Sequence, residues 1–153
     1  RMFNVLRALV VTTGVLVSPL IPFTPSPPLA SPKVIVDTLV FATPLKRFID
    51  IASSPARNQT LDWKSDGCSA PVIRSTGRTF DFTSSCRRHD FAYRNYKRID
   101  SGIYWSEPLR RRIDDKFSVD MRDACRTRPR LDHLTCTAWA NIFYRTVRTY
   151  AGI

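Results

Sequence analysis

The chain is poor in acid, in histidine and in cysteine. Its 153 residues hold 13 Asp and Glu against 24 Lys and Arg, for a net charge of +11. Arginine supplies most of the cations, and no acidic residue precedes Asp37. A surface of that sign favours anionic partners: phospholipid headgroups, nucleic acid or acidic polymers. No basic–aromatic platform of the kind that stacks single-stranded bases is visible, so nucleic acid is not expected. The four cysteines include no C-x-x-C pair, which argues against a zinc knuckle. Their even number fits two disulfides, for which three pairings exist. The apolar run over residues 8–17 falls short of the roughly 20 residues a spanning helix needs. Internal repeats are absent.

What is present begins with a leader-like segment. Arg1 and Arg7 flank the start, residues 8–17 are uncharged and apolar, and a Pro/Ser-rich stretch leads to Ala30 and Ser31. That is the order of a secretory signal peptide, assigned here to residues 1–30, with a retained anchor as the rival. Residues 31–153 are expected to form one domain. A secreted, extracellular chain would meet the oxidising conditions in which disulfides persist. It would also meet the calcium levels at which weak extracellular sites work.

The periodicity is helical. Residues 34–43 read as a helix, although their β-branched residues keep a strand open. From Pro44, a second helix sets Leu45, Phe48, Ile49 and Ala52 on one face and ends at Pro55. Residues 57–80 show no sustained period and read as loop, with a short hairpin around Val72 to Phe80 and Trp63 as its anchor. Thr83 is the candidate N-cap of the next helix. Residues 99–105 turn, and Ser106 caps a helix running to 128, with a stripe of Leu109, Ile113, Phe117, Met121 and Ala124. Asp132 is the candidate cap of the last helix, striped by Trp139, Phe143, Val147 and Tyr150. The expected fold is all-α, a compact disulfide-stapled helical bundle.

Candidate chemistry collects in residues 66–96. Asp66 lies two residues before Cys68, and His89 and Asp90 follow Cys86 by three and four. A Cys68–Cys86 bridge would tie the Asp66 loop to the helix carrying His89 and Asp90. Two carboxylates are hard oxygen ligands suited to Ca2+. A neutral imidazole beside such an ion can act as a general base on water. The ion can stabilise the oxyanion formed when that water attacks an ester. Asp114 falls inside the apolar arc of its helix and needs a partner there, since an unpaired buried carboxylate is costly. An antiparallel pair of helices, 83–98 and 107–128, would set Asp114 against His89 and fix its tautomer. Asp115 points away and is expected in solvent. His133 has no such company.

These blocks carry a resemblance. D-G-C at Asp66, F-D-F at Asp81, C-x-R-H-D-F-x-Y-R-N-Y from Cys86 to Tyr96 and R-I-D-x-x-F-x-x-D-M-x-x-x-C from Arg112 to Cys125 recur in order. Over residues 45–150 or so the chain resembles the secreted bacterial and fungal phospholipase A2 family. The resemblance implies a catalytic dyad of His89 and Asp114. It implies calcium held by Asp66, Asp90 and the Gly67 carbonyl, and disulfides Cys68–Cys86 and Cys125–Cys136. It implies hydrolysis of the sn-2 ester of glycerophospholipids at a membrane surface, and the antiparallel helix pair becomes the catalytic pair. Ala92 stands where the family often has glycine. A monomer is expected.

Each residue also has a plainer role. Asp66-Gly67 alone is commonly a turn, and Asp90 could pair with Arg87 or Arg94. Tyr93, Tyr96, Trp139 and Phe143 read as core before pocket. Arg110, Arg111 and Arg112 read as a solvated face that could also dock on anionic bilayers. The alternative function is a secreted basic protein that binds anionic membranes or polymers without catalysis.

Overall fold

The computed structural model describes residues 30–67 and 80–151. The expected signal segment up to residue 29, the hairpin and Cys68 lie outside the described residues. Among the described residues there are five α-helices and no strand.

Helix α1 (Pro32–Asp37) starts at Ser31, whose hydroxyl accepts from the Val34 N–H at 3.4 Å. It runs on into a π-helical turn, Thr38–Ala42, closed by the Thr43 N–H on the Thr38 carbonyl at 2.8 Å. The segment is therefore helix and not strand, and it is wound wider at its end. Pro44 then opens α2 (Leu45–Ser53). Phe48 and Ala52 are fully covered and Leu45 and Ile49 pack beside them, as their spacing requires. Trp63 anchors the following loop, its ring 4.5 Å from that of Phe91 and 6.0 Å from that of Phe48.

Helix α3 (Thr83–Arg98) is joined to α4 (Glu107–Arg126) by a tight 3-10 turn, Ile99–Gly102, and residues 103–106. Asp100, Ser101 and Gly102 all have positive φ there. At Gly102 a side chain would strike the Lys97 carbonyl at 2.8 Å. The two helices are antiparallel: Arg88, early in α3, reaches Asp120, late in α4, while Tyr93 reaches Asp114. Helix α5 (Arg130–Tyr150) returns along α4. Arg122 meets Asn141 at 3.0 Å, Asp115 accepts from Tyr144 at 2.7 Å, and a Cys125–Cys136 disulfide closes the hairpin. Cys86 is also disulfide-bonded.

Several helix boundaries differ from expectation. The N-terminus of α3 is satisfied by Asp81, which accepts from the Thr83 N–H at 2.9 Å; Thr83 itself is already helical. Pro129, not Asp132, precedes the first turn of α5. Ala124 is exposed, and Cys125 continues the buried stripe of α4. Tyr150 is exposed at the end of the α5 stripe. Ser106 does cap α4, accepting from the Leu109 N–H at 3.4 Å.

Two apolar clusters fill the interior. One joins α1 and the π turn to α2 and α3 through Val36, Val40, Phe48, Phe91 and Tyr96. The other lies between the start of α3, α4 and α5, around Phe117, Met121, Cys125 and Cys136. A buried ion pair crosses the same interface. The Arg88 Nε donates to Asp120 at 2.8 Å, and its Nη1 donates to the Thr43 carbonyl at 2.5 Å. Charges this deep persist only when paired and hydrogen-bonded. No helix among the described residues is long and apolar enough to cross a membrane.

Candidate active site

His89 and Asp90 are successive residues of α3, so they point about 100° apart. His89 turns toward α4. Its ring lies between Tyr93, with centroids 4.4 Å apart, and Phe117, at 4.7 Å. Its Nε2 is 2.8 Å from Asp114 Oδ1. Asp114 is completely buried. The Tyr93 hydroxyl donates to the same oxygen at 2.7 Å, and the Arg148 Nη1 donates to Oδ2 at 2.9 Å. Burial pushes the Asp114 carboxyl up, but hydrogen bonds from His89, Tyr93 and Arg148 outweigh it and hold it below its ordinary value. An ionised carboxylate only accepts. The His89 Nε2 must then carry a proton, and in the neutral imidazole that tautomer leaves the lone pair on Nδ1. Burial and the Asp114 charge hold the Tyr93 phenol far above its ordinary range, so it remains a donor.

Asp90 turns toward the loop before residue 68. The Ser65 hydroxyl donates to it at 2.5 Å and accepts from the Gly67 N–H at 3.1 Å. Burial raises the Asp90 carboxyl, and the neighbouring Asp66 charge raises it further against the Ser65 hydrogen bond. Asp66 is 3.8 Å from Arg94. Gly67 has φ +74°, a left-handed conformation that glycine adopts without strain. The loop is fixed from behind by Asn95. Its side-chain oxygen accepts from the Asp62 N–H at 2.9 Å, and its amide donates to the carbonyls of Asp62 and Phe91, both at 2.8 Å.

Asp66, Gly67, His89 and Asp90 line one cavity of about 380 Å³. The same cavity is also lined by the apolar Phe117, Phe143 and Val147. Among the described residues no group of three or more His, Cys, Asp or Glu side chains is placed to hold a metal ion. The donors expected here are two carboxylates and a backbone carbonyl. Two carboxylates whose charges oppose each other suit a hard cation that would neutralise both.

Residues 36–151 match the family described as prokaryotic phospholipase A2. The chain belongs to this family. A secretory phospholipase A2 of Arthroderma benhamiae is 32% identical over 117 residues, 74% of this chain and 75% of that protein. A secretory phospholipase A2 of Beauveria bassiana is 35% identical over 118 residues, 77% of this chain and 58% of that protein.

In this phospholipase A2 family member several further residues surround the site. Arg110 is not part of a solvated face. It packs against α5 and donates to the carbonyls of Val147, Arg148 and Ala151 at 3.2, 2.6 and 2.8 Å. Arg111 and Arg112 are exposed as expected, and the Arg112 guanidinium lies 3.9 Å from the Phe41 ring centre. Arg148 on Asp114 and Asn95 behind the Asp66 loop have no local signature in the sequence. The burial of Asp114 signalled that partners existed, but nothing local to the sequence pointed to an arginine 34 residues away. Tyr93 and Phe143, read as core, line the cavity.

Proposed function

We propose that this chain is a secreted, calcium-dependent phospholipase A2 that hydrolyses the sn-2 ester of glycerophospholipids through His89 and Asp114. The observation that carries the proposal is the His89–Asp114 hydrogen bond of 2.8 Å beside a cavity lined by both carboxylates and apolar side chains. The family match and the two secretory relatives support it.

In this scheme the Nδ1 of neutral His89 takes a proton from water as the water oxygen bonds to the ester carbonyl carbon. Asp114 holds the ring and stabilises the imidazolium that forms. His89 then returns the proton to the glycerol oxygen as the ester C–O bond breaks. The products are a fatty acid and a lysophospholipid. The apolar lining, with Phe117 and Phe143, takes the acyl chain, while Arg94 and Lys97 also line the cavity and are available to a phosphate. Bound by Asp66, Asp90 and the Gly67 carbonyl, calcium would supply positive charge to the ester carbonyl and phosphate. Without Arg1 and Arg7 the net charge falls from +11 to +9, which suits a monomeric domain, residues 31–153, working on anionic membrane surfaces.

The test is fatty-acid release from phosphatidylcholine vesicles. Release should vanish with excess chelator and return with added calcium. No release from folded, disulfide-bonded protein under either condition would overturn the proposal.

A further inference from the structure

We infer that Arg148 is a positioning residue of the dyad: it anchors the far oxygen of Asp114 so that the near oxygen meets His89. The inference rests on the hydrolase reading above. The two Asp114 oxygens are served from opposite sides. Oδ1 receives His89 and Tyr93, at 2.8 and 2.7 Å. Oδ2 receives the Arg148 Nη1 at 2.9 Å, whereas the Arg110 Nε stays 4.0 Å away. Without Arg148, a fully buried oxygen would lose its close donor, a costly state that turning the carboxylate would relieve. Such a turn would move Oδ1 off the imidazole.

The guanidinium is itself held. Its second amino group pairs with Glu107 at the start of α4. The backbone beneath it is tied to α4 by the three Arg110 hydrogen bonds, which close the end of α5. Arg148 does not line the cavity, although its neighbour Val147 does. It therefore acts through Asp114 and not on substrate. It also joins the apolar wall to the dyad, since Val147 and Arg148 share the last turn of α5. A lysine cannot reproduce the fork, because one ammonium lacks the two parallel donors that meet Asp114 and Glu107 together.

The experiment uses the full chain with calcium and a short-chain phosphatidylcholine below its micelle concentration, which separates kcat from KM. For R148M, kcat should fall about 10- to 100-fold with KM within about twofold, the expected cost of a misplaced catalytic group. R148K should fall between the two, and added guanidinium should restore part of the R148A loss. Unchanged kcat in a folded R148M, or kcat and KM worsening together without guanidinium rescue, would overturn the inference. If R148M does not fold, the same kcat-only loss is expected of R148K and E107Q, and unaltered kcat in both would overturn it. The hydrogen-bonded Nε2 proton of His89 gives a readout free of catalysis. Its downfield NMR signal should shift or broaden in R148M, and an unmoved signal would count against positioning. A wild-type protein that shows the signal but releases no fatty acid would sink the hydrolase reading alone.

Discussion

Asp114 shows how a single carboxylate can be buried and still ionised. Three donors surround it, and their hydrogen bonds outweigh the burial that would protonate it. Asp114→Asn keeps the shape but offers an N–H where His89 and Tyr93 need an acceptor. The imidazole tautomer would then be wrong, and kcat should fall about a thousandfold or more while circular dichroism stays unchanged. A kcat within tenfold or so of wild type would remove Asp114 from the dyad. Sequence could place Asp114 on a packed face, because helical periodicity is local. It could not name Arg148 as a partner, because that contact is made only when α5 folds back on α4.

At the scale of elements, the stripe of Ile113, Phe117 and Met121 was legible and is buried as expected. The caps were less legible. Thr83 and Asp132 are both good cap types, yet both lie inside their helices, and at the start of α3 it is Asp81 that accepts from a free N–H. The α4–α5 hairpin is clamped by the Cys125–Cys136 disulfide, with a sequence separation of 11. Replacing both cysteines by alanine frees the unfolded chain and should cost about 2–3 kcal/mol, read as a lower denaturation midpoint. kcat should persist wherever the double variant remains folded, because the disulfide lies outside the residues lining the cavity. Lost catalysis in folded protein would show that the hairpin end supports the site directly.

For the whole molecule, acid should unfold the chain through its low-lying carboxyls. Asp37 is lowered because hydrogen bonds from Lys33 and Tyr96 outweigh burial, Asp81 is lowered by hydrogen bonds involving Thr83, and Asp114 is lowered as described. A carboxyl lowered by folding adds stability above its unfolded value of about 4, and that stability is lost as pH falls through the folded value. Urea midpoints should therefore drop below about pH 4, and the drop should shrink in Asp114→Asn. Asp90 is raised and acts in the opposite sense, stabilising only at low pH. A midpoint that rises on acidification would mean that Asp90 outweighs all the lowered carboxyls, Glu107 beside Arg148 included.

By itself the sequence determined the helical class, the stripes and the blocks carrying His89, Asp90, Asp66 and Asp114, because periodicity and short-range spacing are properties of the local chain. Tertiary structure decided the rest. It set the Nε2 contact to Asp114 by laying α3 against α4, and buried Arg88 with Asp120 across the same interface. It turned Arg110 from an apparently solvated residue into the lock on the end of α5. Such contacts depend on the angle and register at which helices pack, and those follow from how the assembled cores fit together, not from any one segment.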